Sequence, residues 1–409
     1  MMLVVGGYYR EVCVSPARDE QFGSGGRAAF AIASTGTDVE WHYYCPSADQ
    51  VTAKYGLPSP HLVHFPTTSD ALITFTYFHP LSKPEFVPAH PTQHPPIKIT
   101  GENILRFGFM EGDAVVRGNK VVFDPQNPNE PISFCQNGSS ANHLAIVLNA
   151  QEVKRLGCDE SEALAVKNIQ SSESASVILV KSGPQGCRVY IDGQVTATVP
   201  PYRTDRVYKI GSGDIFSAAF AYHWAERSLG PAEAADAASR CVARYCDTRK
   251  PSVLLDDHTA RLDAVIVKNE AAKVYVAGPF FTMGELWLVL EACRSLDELG
   301  VRFFSPYHEA GLLGDYEDSE AHLEKISEVV RKDLSGLADC SAVFAVLDGC
   351  DPGTLFEIGW AVNQRIPVVA FSQNPKPADL TMIRGSTGCF ITNDFASAIY
   401  RVAWQAWSQ

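Results

Sequence analysis

The last third of the chain repeats one pattern, in which a short apolar run is followed by a segment of helical periodicity. A parallel strand gives such an unbroken apolar run because helices cover both faces of its sheet. The four predicted strands span residues 274–277, 301–305, 342–347 and 368–371. The three predicted helices between them span residues 283–299, 319–337 and 354–364. This alternation predicts a doubly wound parallel sheet, whose ligands bind beyond the carboxyl ends of the strands.

The length of the chain favours two domains. It has 409 residues, and single hydrophobic cores rarely grow beyond about 250–300 residues. Upstream, β-branched runs at 114–116, 121–123 and 177–180 alternate with helical segments at 160–169 and 214–227, which is typical of α/β layering. The predicted organisation is an N-terminal α/β domain, a linker and a C-terminal Rossmann-like domain, at residues 1–255, 256–272 and 273–409.

Charge and cysteine usage narrow the ligands and the compartment. The formal net charge is −13 at pH 7, which argues against a nucleic-acid or anionic membrane surface because both need clustered Lys and Arg. The eleven cysteines include no C-x-x-C pair, and there is no apolar run long enough to cross a membrane. We therefore expect reduced thiols, a cytoplasmic location and small-molecule ligands.

Two carboxylates follow the third predicted strand of the C-terminal domain. Asp351 lies in a Gly/Pro turn, and Glu357 lies about one helical turn into the next helix. We expect both to face the ligand crevice, with the helix N-terminus keeping Glu357 ionised, as attack on an anomeric carbon requires. A second carboxyl group can protonate the departing base. The alternative is that both residues only cap the helix.

Four segments, taken in order, resemble the nucleoside 2-deoxyribosyltransferase family, including its relatives that hydrolyse deoxynucleoside monophosphates. They are residues 274–281, residues 305–309, Asp333 with Asp339, and residues 351–361. The resemblance implies that Glu357 attacks the anomeric carbon and that Asp351 supports the sugar or proton transfer. It further implies that Tyr275 orients Glu357 and that Asp333 contacts the base.

The same resemblance implies a wider substrate site and leaves the acceptor open. The further substrate-binding residues are Gly278, Pro279, Phe280, His308, Glu309 and Gly353. No cofactor is implied, and water or a second base can accept the sugar from the same intermediate. Because the family often completes its site from a neighbouring subunit, a homo-oligomer through this domain is also implied, although residues 379–382 fit that segment only roughly.

In the N-terminal domain the most informative segment is Gly211-Ser212-Gly213-Asp214, just before a predicted helix. Glycines before a helix let backbone amides approach a transferring phosphoryl group, and an Asp at its start can accept the proton of an attacking hydroxyl. This combination predicts an anion hole with a base. An ordinary helix cap is the alternative.

Other segments in the same order resemble the ribokinase-like (PfkB) carbohydrate and nucleoside kinases. They are residues 23–26, 124–126, 149–152, 182–186 and 211–214. The resemblance implies a ribokinase-like α/β sandwich that uses ATP and Mg²⁺. Asp214 is then the base, and the other implied roles are the anion hole for Gly211, Ser212 and Gly213, indirect Mg²⁺ and phosphate support for Asn149 and Glu152, and nucleotide contact for Ser182 and Gly183.

The acceptor side departs from the family pattern. Glu11 stands in for the usual Asp after the first strand, and Phe30 replaces the Asn that usually follows the diglycine Gly25-Gly26. Either the acceptor is unusual, with a base stacked on Tyr8, Tyr9 or Phe30, or phosphorylation has been lost and the domain only binds a nucleoside.

Both domains resemble enzymes whose substrates contain a pentose. We therefore expect a bifunctional enzyme of nucleoside or nucleotide metabolism, with either step first. The alternatives are a non-catalytic pseudokinase joined to an active C-terminal domain, and a nucleotide sensor without turnover.

Overall fold

A computed structural model describes residues 1–126, 130–252, 262–309, 320–374, 378 and 380–409. The chain forms two compact units, Met1–Ala264 and Val265–Gln409. Parts of three predicted segments lie outside the described residues. They are residues 256–261 of the linker, the first residue of the helix at 319–337, and Asp379 of the segment 379–382.

The first unit is built on a nine-stranded sheet with the strand order β13-β12-β11-β10-β9-β8-β1-β4-β5, parallel except at β12 and β13. Its strands are β1 (Met2–Val5), β4 (Val39–Pro46), β5 (Leu62–Ser69), β8 (Ile97–Phe107), β9 (Ala114–Asp124), β10 (Ser140–Asn149), β11 (Val177–Lys181), β12 (Cys187–Ile191) and β13 (Gln194–Val199). A smaller sheet, β3-β2-β6-β7, contains β2 (Arg10–Cys13), β3 (Arg18–Gln21), β6 (Thr74–Tyr77) and β7 (Glu85–Val87).

Helices cover both faces of the large sheet. They are α1 (Gly23–Ala33), α2 (Gln50–Gly56), α3 (Ala150–Leu156), α4 (Glu162–Glu173), α5 (Ser212–Ala221) and α6 (Pro231–Thr248), with short 3₁₀ turns at Cys135–Asn137 and Gly183–Gln185 and a π turn at Tyr222–Glu226. Successive side chains of β1 point to opposite faces of the sheet, where they join two separate hydrophobic clusters. Met2 and Val4 belong to one cluster, and Leu3 and Val5 belong to the other. This alternation gives a three-layer α/β/α sandwich, as predicted.

The diglycine at the start of α1 has a steric reason. A Cβ on Gly25 would lie 2.3 Å from the carbonyl oxygen of Gly6, and one on Gly26 would lie 2.8 Å from the Trp41 ring. The close approach of α1 to the end of β1 therefore requires residues without side chains.

Several sequence predictions differ in extent from the structure. The runs at 114–116 and 121–123 belong to the single strand β9, because the polar residues between them also pair with β8 and β10. The helix predicted at 214–227 begins earlier and ends as α5 before the π turn. All eleven cysteines are free thiols. In the described part of the chain, every helix is too short or too polar to cross a membrane.

The second unit has a five-stranded, all-parallel sheet with the strand order β15-β14-β16-β17-β18. Its strands are β14 (Lys273–Ala277), β15 (Arg302–Phe304), β16 (Ala342–Val346), β17 (Val368–Phe371) and β18 (Cys389–Thr392). Its helices are α7 (Met283–Glu298), α8 (Pro306–Glu309), α9 (Glu320–Ala338), α10 (Pro352–Asn363), α11 (Thr381–Gly385) and α12 (Phe395–Trp407). The predicted doubly wound parallel sheet is confirmed. Its strand order reverses between β14 and β16, where ligands of such sheets bind.

Candidate active sites

A tyrosine and a glutamate meet at the switch point of the second unit. Tyr275 lies in β14 with a fully buried side chain, and its ring stacks on Phe304 at a centroid distance of 5.5 Å. Its hydroxyl donates a hydrogen bond to Glu357 Oε1 at 2.5 Å. Glu357 lies in α10, which follows β16, so the sheet fixes both partners. The predicted contact between these two residues is present.

Burial governs the ionisation of Glu357. Its pKa is raised to about 7, chiefly because burial removes solvent from the carboxylate; Asp333 and Asp351 add to this rise, and the Tyr275 hydrogen bond opposes it. The expectation that a helix N-terminus keeps this carboxylate ionised is therefore wrong in direction. Glu357 lies beyond the first turn of α10, where the helix dipole acts, and desolvation is the largest effect.

Asp351 is the N-cap of α10. Its Oδ2 accepts hydrogen bonds from the Thr354 amide at 2.7 Å and from the Thr354 hydroxyl at 3.0 Å. A Cβ on Gly353 would lie 3.1 Å from the same oxygen, so this glycine leaves room for the carboxylate. Asp351 also acts electrostatically on Glu357. Asp351 therefore caps the helix, as the alternative interpretation of the sequence predicted. It also lies near Glu357, the candidate nucleophile.

Asp333 reaches the same site from α9. Its carboxylate adds to the high pKa of both Glu357 and Tyr275, and burial raises its own pKa. Its Oδ1 is buried and has no hydrogen-bond partner among the described residues. Such an oxygen costs free energy until something pairs with it, so it is available to a ligand.

The remaining predicted residues line the neighbouring strand ends. A Cβ on Gly278 would lie 3.0 Å from Val289 and 3.1 Å from Val346, so Gly278 allows α7 to pack closely against the sheet. The ring of Phe280, which follows Pro279, contacts the ring of Tyr307 at 5.6 Å.

His308 and Glu309, which follow Tyr307, contact residues other than Tyr275 and Glu357. The ring of His308 contacts those of Phe303 and Tyr307. Glu309 pairs with Lys332 at 3.6 Å rather than with the Tyr275–Glu357 pair.

Asp348 holds the turn before α10, a role that sequence analysis missed. It accepts hydrogen bonds from the Ser372 hydroxyl at 3.0 Å and from the amides of Gln373 and Asn374 at 2.9 and 3.2 Å. These donors follow β17, so Asp348 ties the ends of two adjacent strands together. A carboxylate directly after a buried strand was the available signal.

In the first unit, Asp214 lies in the first turn of α5 beside the predicted anion hole. Gly211 is the N-cap of α5 with φ of 76°, and a Cβ there would lie 2.3 Å from Arg27 Nε. No side chain caps this helix. A Cβ on Gly213 would lie 3.5 Å from Lys181 Nζ. A helix N-terminus beside an ammonium group suits an anion.

Arg27, which sequence analysis missed, joins the two predicted acceptor-side carboxylates. Its side chain is fully buried, and Nη1 donates to Asp214 Oδ2 at 2.5 Å while Nη2 donates to Glu11. Burial raises the pKa of Glu11 against the opposing effect of Arg27. A single arginine in the small-residue helix α1 was the only signal in the sequence.

The other oxygen of Asp214 is also bound within the protein. Gln126 Nε2 donates to Asp214 Oδ1 at 2.5 Å. Nearby, Asp124 Oδ2 accepts from Lys181 Nζ at 2.9 Å and from the Ser217 hydroxyl at 2.6 Å. The segment after β9 therefore contacts α5 at two points.

Asn149 and Glu152 form a reciprocal capping box at the start of α3. Asn149 Oδ1 accepts from the Glu152 amide at 2.9 Å, and Glu152 Oε2 accepts from the Asn149 amide at 2.7 Å. Burial raises the pKa of Glu152 to about 7, with Asp124 adding to the effect. In the part of the chain described, no three His, Cys, Asp or Glu side chains are placed to hold a metal together. The buried Glu152 carboxylate lies near that of Asp124, and carboxylate oxygens suit Mg²⁺ that keeps several waters and also binds phosphates.

Ser182 and Gly183 form the turn between β11 and β12. The Ser182 hydroxyl accepts from Arg188 at 3.0 Å, and Gly183 has φ of 52°. The position of these two residues is therefore fixed by Arg188 and by the conformation of the turn, and not by the Arg27–Asp214 pair.

The predicted stacking platform on Tyr8 or Tyr9 is wrong, because both side chains are buried. Tyr8 packs edge-on against Trp41, and Tyr9 donates to Glu111 at 2.8 Å. Phe30 is partly buried and packs against the same core as Tyr8.

Comparison with known sequences identifies two regions. Residues 119–251 match the family described as pfkB family carbohydrate kinase, and residues 274–394 match nucleoside 2-deoxyribosyltransferase. Both resemblances drawn from the sequence are thereby confirmed. The chain thus carries one region similar to pfkB family carbohydrate kinases and another similar to nucleoside 2-deoxyribosyltransferases. Comparison with curated protein sequences gives no match.

Solved structures similar to this chain include two sugar kinases. Fructokinase from Vibrio cholerae O395, in a form with fructose, ADP and calcium ion bound, is 15% identical with a TM-score of 0.45, covering 62% of this chain and 96% of its own. Arabidopsis thaliana ribokinase, complexed with ribose and ATP, is 13% identical with a TM-score of 0.43, covering 62% and 98%.

Proposed function

We propose that the second unit cleaves or transfers the N-glycosidic bond of a nucleoside, a deoxynucleoside or its 5′-monophosphate through a glycosyl-Glu357 intermediate. The observation that carries the proposal is the 2.5 Å hydrogen bond from Tyr275 to Glu357 at the switch point of a parallel sheet. A nucleophile needs a partner that fixes its orientation, and the buried Tyr275 supplies one.

The reaction proceeds in two displacements. The ionised Glu357 carboxylate attacks the anomeric carbon, a C–O bond forms, and the C–N bond breaks as the base leaves with its electron pair. Water or a second base then attacks the same carbon and releases Glu357. Tyr275 holds the carboxylate, and no step needs a cofactor.

Asp333 and Asp351 have different proposed roles in the reaction. Asp333 has an unpaired buried oxygen and a raised pKa, which suit a carboxyl group that donates a proton to the departing base. Asp351 already accepts two hydrogen bonds from Thr354, which suits an acceptor for a sugar hydroxyl. The proposed substrate contacts of Gly278, Pro279, Phe280, His308, Glu309 and Gly353, and assembly through this unit, stay predictions.

For the first unit we propose ATP-dependent phosphorylation of a pentose or nucleoside. Asp214 accepts the proton of the acceptor hydroxyl, its oxygen bonds to the γ-phosphorus, and the bridging P–O bond of ATP breaks. The Gly211–Gly213 amides stabilise the charge on the phosphoryl oxygens. Glu152 and Asn149 would support Mg²⁺ indirectly, and the bound ion would supply positive charge to the phosphates.

A second candidate for the first unit is a non-catalytic pseudokinase. It is favoured by one observation, that both oxygens of Asp214 accept hydrogen bonds from Arg27 and Gln126. A carboxylate has about four acceptor positions, so two positions stay open to a hydroxyl. We therefore retain catalysis as the proposal.

One experiment with a panel of candidate substrates tests the proposed activities of both units. The protein is incubated with ribo- and deoxyribonucleosides, their 5′-monophosphates and free pentoses, with and without Mg-ATP, and the products are separated by chromatography. We expect free base, or exchanged base when a second base is added, without ATP, and a phosphorylated acceptor only with ATP. Ligand binding without any product would instead indicate a nucleotide sensor.

The rate of base release is expected to rise with pH through about 7. Only the ionised form of Glu357 attacks, and its pKa is raised to about 7, so kcat/KM should fall about tenfold per pH unit below that value. Tyr275→Phe removes the bond that lowers this pKa, so the acid limb should move to higher pH. Steady-state profiles from pH 5 to 9 measure both effects. A wild-type limb near 4.5, the ordinary value, would contradict the assignment.

A further inference from the structure

The carboxylate of Asp214 is fixed from two sides by side chains of different charge. Arg27 Nη1 binds Oδ2 at 2.5 Å, and the neutral amide of Gln126 binds Oδ1 at 2.5 Å. With one donor on each oxygen, the carboxylate cannot rotate about its Cβ–Cγ bond without breaking a hydrogen bond. The plane of the carboxylate, and hence the direction of its free acceptor positions, is set by these two residues.

The segment that carries Gln126 is itself held firmly. The Gly108 amide donates to the Asp124 carbonyl at 3.0 Å, and a Cβ on Gly108 would lie 2.0 Å from the Pro125 carbonyl oxygen. The Asp124 side chain is held by Lys181 and by Ser217, which lies one turn after Asp214 in α5. Asp124 and Gln126 therefore attach the end of β9 to the first turns of α5.

The backbone of Gln126 is in an unfavourable conformation. Its φ is 52°, in the left-handed region that residues with a Cβ rarely adopt. Such a conformation costs free energy and persists where surrounding contacts impose it, often at functional sites. Here the conformation accompanies the hydrogen bond that the Gln126 side chain makes to Asp214.

We propose that Gln126 is a positioning residue that orients the Asp214 carboxylate for proton abstraction from the acceptor hydroxyl. This inference rests on the proposed phosphoryl transfer. Gln126 exchanges no proton and acts only through Asp214. The acceptor proton moves to Asp214, the acceptor oxygen bonds to phosphorus, and ADP leaves.

A positioning role predicts a loss in kcat with little change in KM, which a general loss of structure would not produce. Misdirecting the Asp214 carboxylate slows proton transfer in the transition state, while the binding of ATP is retained. Other charged or titratable groups that act on Asp214 electrostatically stay in place in the variants. They are Glu11, Arg27, Tyr77, Lys181 and Lys209.

The experiment compares Gln126→Met, which keeps the size and removes the amide, with Gln126→Glu, which adds a negative charge. Gln194→Glu, at an exposed position on the edge strand β13, is the control for added charge. In Gln126→Met we expect kcat for phosphorylation to fall about 10- to 100-fold. KM for ATP should stay within about twofold. Gln126→Glu should lower kcat further, because its carboxylate would repel that of Asp214.

A direct measurement accompanies the kinetics. Carboxyl ¹³C NMR, with the Asp214 signal assigned from Asp214→Asn, compares the chemical shift of the Asp214 carboxylate in the wild type and in Gln126→Met. An unchanged Asp214 shift and an unchanged kcat in folded variants would overturn the positioning role alone. A wild-type protein that phosphorylates no acceptor in the panel would overturn the proposed kinase function, and the role of Gln126 with it.

Discussion

Replacing Glu357 by glutamine or alanine is expected to slow base release by about 10³-fold or more. Both changes remove the carboxylate that forms the glycosyl ester, while Glu357→Gln keeps the size of the side chain and can still accept the Tyr275 hydrogen bond. Phosphorylation by the first unit should be unaffected. Chromatographic release of free base from a deoxynucleoside and its monophosphate, under single-turnover conditions, measures the effect.

The matched control is Glu328→Gln, at an exposed position of α9 in the same unit. It removes the same charge without touching the switch point and should leave base release unchanged. Trapping of a covalent sugar adduct on the wild type, and its absence from Glu357→Gln, would locate the intermediate. If the glutamine variant released base as fast as wild type, the nucleophile would have to lie elsewhere.

Asp214→Asn is expected to reduce ATP-dependent phosphorylation by about 10²- to 10⁴-fold, the usual contribution of a general base. Asparagine keeps the shape of the side chain and can still accept the Arg27 hydrogen bond, but its amide does not take up the acceptor proton. Coupled measurement of ADP formation with the best acceptor of the panel gives the loss. Base release by the second unit should stay at the wild-type rate.

Asp192→Asn serves as the control because Asp192 is exposed and its φ of 50° is tolerated by asparagine. Equal ADP formation in wild type and Asp214→Asn would remove Asp214 as the base. If ATP binds to wild type but no acceptor is phosphorylated, the pseudokinase alternative is correct. The Arg27–Asp214–Gln126 arrangement would then be a purely structural network.

The sheet of the second unit was predictable because helix-covered parallel strands leave unbroken apolar runs in the sequence. The predictions missed β18 and α12. The four residues of β18 are only half-buried and form a weak pattern. The apolar residues of α12 do recur at helical spacing, so this helix was available from the sequence and was overlooked. The high pKa of Glu357 was equally hidden, since burial depends on packing by distant residues.

The first unit shows where residue patterns stop being informative. The Gly-Ser-Gly-Asp segment indicated the start of α5, because local rules govern glycines and helix caps. Arg27 was missed because its partners, Asp214 and Glu11, lie 187 and 16 positions away. The contact of Gln126 depends on a left-handed backbone that glutamine does not signal. Tyr8 and Tyr9 were misjudged because an aromatic side chain suits a core as well as a binding platform.

The two compact units belong to a single polypeptide, and this has a consequence for metabolic flux. Separate enzymes are made in proportions that follow their own expression and turnover, whereas these two proposed activities are produced in a fixed one-to-one ratio. The ratio of the two fluxes is therefore encoded in the rate constants of the units and is not adjustable by gene dosage.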